Sequence, residues 1–194
     1  MAQKLVLFLH GYQGTPDNGF FKDIQRQLEK EDVKYISPNL PTPDKPVYSE
    51  WKNAIANILI ELNNNFPIIQ NKIIIVAHSL ACYTILRMVD EDILSVESDR
   101  KLSLFMYVQS LILVAPIVEF INVCPQFTNY DLHHLKTGLT CSTANYPIPT
   151  YMIYSIDDNY MNNEQIYNFL SNFPSVNNNQ SHIPKHLSKP KSKN

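Results

Sequence analysis

A chain of 194 residues, 44% of them hydrophobic and 18% charged, suffices for one globular domain with a sizeable core and is too apolar for wholesale disorder. A net charge of −2 leaves no electrostatic footprint for nucleic acid, and no apolar run approaches the roughly 20 residues of a membrane-spanning helix. Three cysteines (Cys82, Cys124 and Cys141) are odd in number and lack metal-ligand spacing, so free thiols in a reducing, cytoplasmic setting are expected, with neither metal nor organic cofactor.

The opening MAQKLVLFLHGY is too short for a secretion signal and runs straight into a motif. Lys4–Leu9 reads as a buried strand. It ends in His10-Gly11-Tyr12-Gln13-Gly14-Thr15-Pro16, a glycine-rich turn. A strand closed by His-Gly and such a loop suits half of an oxyanion hole, with backbone N–H groups near Gly11 and Tyr12 as donors. Gly11 lets the backbone approach a substrate closely. An ordinary strand–helix loop is the plainer alternative. His10 reads as structural, because a catalytic base is expected later in the chain. Phe20–Glu31 is an amphipathic helix with Phe20, Phe21, Ile24 and Leu28 on one face. Val33–Ser37 is a short strand. Pro38, Pro41, Pro43 and Pro46 then force an extended loop, and Trp51, Ile55, Ile58, Leu59 and Leu62 mark a helix from about Ser49 to Asn64.

The next stretch organises the chain. Ile73, Ile74, Ile75 and Val76 suit a strand buried on both faces. Ala77-His78-Ser79-Leu80-Ala81 follows, and then Cys82, Tyr83, Ile85, Leu86, Met88 and Val89 at helical spacing. Strand, sharp turn with a central serine, and helix form the pattern of a nucleophile elbow, usually written G-x-S-x-G. Both glycines are alanine here, the next smallest residue. The elbow would hold Ser79 exposed and strained, with the N–H of Leu80 as an oxyanion donor at the helix start. The competing reading is a helix-capping serine. Cys82, one turn into the helix, is expected in the core rather than as a nucleophile. Asp90–Lys101 reads as an acidic, irregular helix end and loop.

Val108–Ala115 is expected to be a second strand buried on both faces, closed by Pro116. Residues 117–147 are either a lid with apolar walls for an acyl group or a loosely packed connection, and His133 and His134 read as a surface pair. Ile148–Ser155 is the last legible strand, followed by Asp157-Asp158 and a helix from about Asn163 to Phe173. Strands alternating with helices predict an α/β fold, a doubly wound and mostly parallel sheet flanked by helices over residues 1–175. Its ligand edge is the carboxyl end of the strands. An acid just past a strand on the serine's edge suits the third member of a triad, with Asp158 preferred and Asp157 next. The alternative is a turn and helix cap.

HGYQGTPDN, SPNLPTPDKP with Trp51 soon after, AHSLAC, LVAP and SIDDNYM, in this order, resemble the small serine α/β-hydrolases of the YdeN and retinoblastoma-binding-protein-nine type. The resemblance spans about Lys4 to Phe173. It implies a compact α/β-hydrolase with a Ser-Asp-His triad acting on esters or peptides, and it assigns the triad acid to Asp158. It places the histidine in a Gly-His-Phe segment, whose nearest counterpart is Ser181-His182-Ile183, with His186 as the alternative. Here the chain departs from the family. No apolar strand precedes His182, and residues 176–194 read as a lysine- and serine-rich tail without a closing helix.

Two functions follow. One is a monomeric serine hydrolase acting on a small ester or peptide, with Ser79 as nucleophile, His182 as base, Asp158 as its orienter, and the N–H groups of Tyr12 and Leu80 as the oxyanion hole. The other is a binding protein with a hydrolase fold that lacks a competent base.

Overall fold

The computed structural model describes residues 4–17, 19–65, 73–99, 105, 108–117, 148–155 and 164. Its elements in chain order are β1 (Leu5–Leu9), α1 (Phe20–Lys30), β2 (Lys34–Ile36), α2 (Tyr48–Asn65), β3 (Ile73–His78), α3 (Leu80–Asp99), β4 (Val108–Val114) and β5 (Thr150–Ile153). The strands form one five-stranded sheet in the order β2-β1-β3-β4-β5, and every pairing is parallel. The α/β fold expected from the alternation of strands and helices is therefore present. Because the strands are parallel, the residues after β1, β3, β4 and β5 all leave from one edge.

The sheet divides two apolar layers. Leu5, Leu7 and Leu9 of β1 join Ile73, Ile75 and Ala77 of β3 in a core with α2 and α3, while Val6 and Phe8 join Val76 and Phe21 on the α1 side. Alternating residues thus serve opposite faces, as strand geometry requires. β1 is buried throughout. β4 differs from the expectation of burial on both faces: Leu111 and Leu113 are buried, but Ile112 and Val114 are only partly covered where they meet the smaller α1-side cluster.

On α2, Trp51, Ile55, Leu59 and Leu62 form one buried stripe. On α1, Phe21 and Gln25 are buried, whereas Ile24 is 38% exposed. This corrects the expected apolar face. The Gln25 amide turns inward because its Nε2 donates to the Pro16 carbonyl at 3.2 Å, which satisfies a polar group that burial would otherwise penalise. A second correction concerns residues 90–99, which continue α3 rather than forming a helix end and loop. The run from Leu80 to Asp99 contains neither glycine nor proline to stop it. No helix among the described residues is long and apolar enough to cross a membrane.

Glu91 fastens α3 to α2. It accepts from Lys52 Nζ at 2.6 Å and from Arg87 Nε at 2.9 Å, and the Arg87 guanidinium lies 3.8 Å from the centre of the Tyr48 ring. Burial pushes the Glu91 carboxyl up, but hydrogen bonds led by that of Lys52 outweigh burial and hold it below the ordinary value. A carboxyl lowered on folding stabilises the protein above its unfolded pKa of about 4.3, and that contribution fades as pH falls through the lower folded value. Glu91→Gln should therefore lower stability by about 1 kcal/mol at neutral pH, a modest figure because these side chains are partly solvated. The gap to wild type should close in acid, and urea unfolding at neutral pH and near pH 3 checks both parts.

Candidate active site

β3 and α3 meet with no intervening loop. His78 ends the strand, Leu80 begins the helix, and Ser79 makes the bend at φ 53°. A non-glycine residue in that region carries a cost of order 1–3 kcal/mol and persists only where its surroundings fix it. Those surroundings are identifiable. The Ser79 N–H donates to the Val114 carbonyl at 2.9 Å, and the Ser79 carbonyl accepts from the Cys82 N–H at 3.0 Å. Ala77 and Ala81 are both fully buried in the core, so the bend has small residues on each side. The sharp turn expected at residue 79 is present although neither flanking position is glycine.

Cys82 supports the same bend from beneath. Its thiol is buried, lies 3.1 Å from the Ala77 carbonyl and reaches toward that of Val114 at 3.6 Å. Burial pushes the thiol's pKa far up, so at neutral pH it is a protonated donor rather than a nucleophile. Its expected place in the core is confirmed.

The second loop comes from β1. Gly11 lies against Ser79: a Cβ at Gly11 would stand 2.7 Å from Ser79 Cβ, 3.0 Å from the His78 carbonyl oxygen and 3.3 Å from Ser79 Oγ. Only a residue without a side chain fits between loop and elbow. The Gly11 carbonyl accepts from the Gly14 N–H at 3.0 Å, and the Gln13 N–H donates to the Pro43 carbonyl at 2.8 Å, with Gln13 at φ 52°. Tyr12 is half-buried against the α2/α3 core. Leu80 is the first residue of α3, so its N–H belongs to the helix-start donors that have no carbonyl partner within the helix.

His10 is buried and bonded to backbone through both ring nitrogens, Nδ1 to the Gly11 carbonyl at 3.0 Å and Nε2 to the Leu40 N–H at 2.9 Å. Burial lowers its pKa, and the bond to Gly11 opposes this only in part. That environment matches the structural role expected for it. His78, beside Ser79, stands edge-on to Phe20 at 5.5 Å and to Phe21 at 6.3 Å, which ties the elbow to the start of α1.

The fold thus brings Ser79, Leu80, Gly11 and Tyr12 to one edge of the sheet. Asp158 with its alternative Asp157, His182 with its alternative His186, and residues 118–147 lie outside the described residues. β5 ends on the same edge, and the Ala115 N–H donates to its Ile153 carbonyl at 2.8 Å. Reading residue types did not reveal the part played by the proline-rich segment 37–46, whose backbone holds the loop at Leu40 and Pro43 and is itself held by Trp51 at the Pro41 carbonyl. The available signal was its four prolines, which stiffen the backbone.

A family profile described as "Serine hydrolase" matches residues 6–183, most of the chain and the whole of this edge. The chain belongs to the serine hydrolase family. No curated relative matches it significantly. Among solved structures, this family member is similar to the ydeN gene product of B. subtilis, at 19% identity and a TM-score of 0.64 over 90% of this chain and 83% of that one. It is also similar to the Pyrococcus furiosus esterase Pf2001, at 14% identity and a TM-score of 0.63 over 90% and 72% of the two chains. A third likeness is to Est1E from Butyrivibrio proteoclasticus with ferulic acid bound, at 12% identity and a TM-score of 0.59 over 90% and 77%. At such identities the likeness concerns the fold, and it agrees with the parallel sheet described above.

Proposed function

We propose that this member of the serine hydrolase family cleaves a carboxylic ester or amide of a small molecule by acyl transfer to Ser79. The observation that carries the reading is the bend at Ser79, held at φ 53° with the side-chain-free Gly11 directly against it. In the proposed cycle, Ser79 Oγ bonds to the substrate carbonyl carbon while His182 takes its proton. The N–H groups of Leu80 and Tyr12 donate to the oxyanion, each typically worth roughly 3–4 kcal/mol. The C–O or C–N bond then breaks, and His182 returns the proton to the leaving group. Water, deprotonated by the same imidazole, releases the acid and regenerates Ser79. Asp158 holds the imidazole in one tautomer and balances its charge. One similar fold, that of Pf2001, carries the name esterase, which favours esters over amides.

A fluorophosphonate probe should label the wild type and spare Ser79→Ala, and short-chain aryl ester hydrolysis should fall on the order of 10⁴-fold or more in that variant. Separate His182→Ala and His186→Ala variants identify the base. A wild type that neither labels nor turns over faster than Ser79→Ala would sink the reading and leave a binding protein on a hydrolase fold.

A further inference from the structure

We propose that His10 is a positioning residue for the oxyanion hole: a neutral imidazole of fixed tautomer that fastens the loop after β1 to the proline-rich segment 37–46. This rests on the acyl-transfer reading above and adds to it a residue that neither the triad nor the oxyanion donors include.

The two hydrogen bonds define the ring. The Gly11 carbonyl can only accept, so His10 Nδ1 carries the hydrogen. The Leu40 N–H can only donate, so Nε2 is bare and accepts. One neutral tautomer satisfies both. Neither nitrogen is left to take a proton from Ser79, which removes His10 from the list of bases. The ring's site is shaped on every side. A Cβ at Gly14 would stand 3.1 Å from His10 Nδ1, so the glycine makes room for the imidazole. Trp51 meets the ring edge-on at 6.0 Å and donates its own Nε1 hydrogen to the Pro41 carbonyl at 2.7 Å.

These contacts form one connected brace. Leu40 N–H holds His10, His10 holds the Gly11 carbonyl, and Pro43 holds the Gln13 N–H. Tyr12 lies between the two anchored peptides, and Gly11 touches the elbow. Cutting the His10 tie leaves the Gly11 carbonyl only its bond from Gly14 within the loop and detaches that end of the segment carrying the Tyr12 N–H from residues 37–46. An oxyanion donor acts on charge that develops only in the transition state, so its displacement lowers kcat rather than substrate binding.

The test uses the full chain, with kcat and KM for a short-chain aryl ester, chemical unfolding of each variant, and Ser79→Ala as the floor. His10→Ala and His10→Asn should each lose kcat on the order of 10²-fold, with KM changed by no more than about threefold. His10→Gln, whose amide oxygen reaches the level of Nε2, should recover roughly tenfold by restoring an acceptor for Leu40. Nitrogen NMR of the wild type at neutral pH should show a protonated Nδ1 and a bare Nε2 for His10. Folded His10→Ala with wild-type kcat, beside an inactive Ser79→Ala, would overturn the inference and leave the hydrolase reading intact. The opposite tautomer, or a charged ring, would overturn it even if His10→Ala did not fold. A wild type no faster than Ser79→Ala would remove the hydrolase reading itself, and the inference with it.

Discussion

Gly11→Ala is expected to lose kcat on the order of 10²-fold or more and to lower stability by about 1–3 kcal/mol. The added methyl would lie 2.7 Å from Ser79 Cβ, closer than real side chains approach, and 3.0 Å from the His78 carbonyl oxygen, a further tight contact. Neither neighbour yields easily. His78 ends a paired strand, and Ser79 is held by its bonds with Val114 and Cys82. The loop after β1 must therefore retreat, and Tyr12 retreats with it. Gly19→Ala is the matched control. Among the described residues, no atom outside its chain neighbours lies within 4 Å of its Cβ position, so only its backbone, at φ 54° and ψ −133°, is unfavourable. It should cost about 1–3 kcal/mol of stability and leave kcat unchanged. Steady-state kinetics and urea unfolding of the two variants decide the matter, and full kcat in Gly11→Ala would contradict the contact.

Trp51→Ala should produce the largest stability loss of any single substitution considered, about 3–5 kcal/mol by urea unfolding. The indole is fully buried, and its N–H bonds to the Pro41 carbonyl at 2.7 Å. Truncation leaves a cavity between α2 and the sheet and frees the proline-rich segment at one attachment. Trp51→Phe separates the two effects. It keeps much of the ring's volume but orphans the Pro41 carbonyl, and its cost should be about 1–3 kcal/mol. A Trp51→Phe loss equal to that of Trp51→Ala would mean that the hydrogen bond, not the packing, dominates.

Much of the architecture is legible in residue patterns because the central strands are apolar on both faces. Leu5–Leu9 and Ile73–Ala77 have no polar residue to confuse their assignment, and α2 declares itself through Trp51, Ile55, Leu59 and Leu62. The bend at Ser79 was legible without its glycines, since what the turn requires is small size at Ala77 and Ala81. Other features escaped for physical reasons. Ile24 and Gln25 exchange expected places because one hydrogen bond to the Pro16 carbonyl makes an inward amide acceptable. The length of α3 was missed because acidic residues at its far end resemble a loop in composition, while Glu91 in fact bridges two cations. Most hidden of all was the brace behind Gly11. It runs through the Leu40 N–H and the carbonyls of Pro41 and Pro43, and main-chain atoms have no letter in a sequence.

The strand order has a consequence for how the chain reaches this state. β1 lies inside the sheet, but its partner β3 pairs Leu5 with Ile73. At typical synthesis speeds, on the order of several seconds separate the emergence of those two residues from a ribosome. Throughout that interval the nascent segment Leu5–Leu9 has at most β2 beside it, with one flank still lacking its mate. A parallel ladder cannot close as a local hairpin, so early release or truncation before His78 leaves a sticky ribbon seeking any available neighbour. Translation pace and holding factors would then bear on how much product a cell recovers.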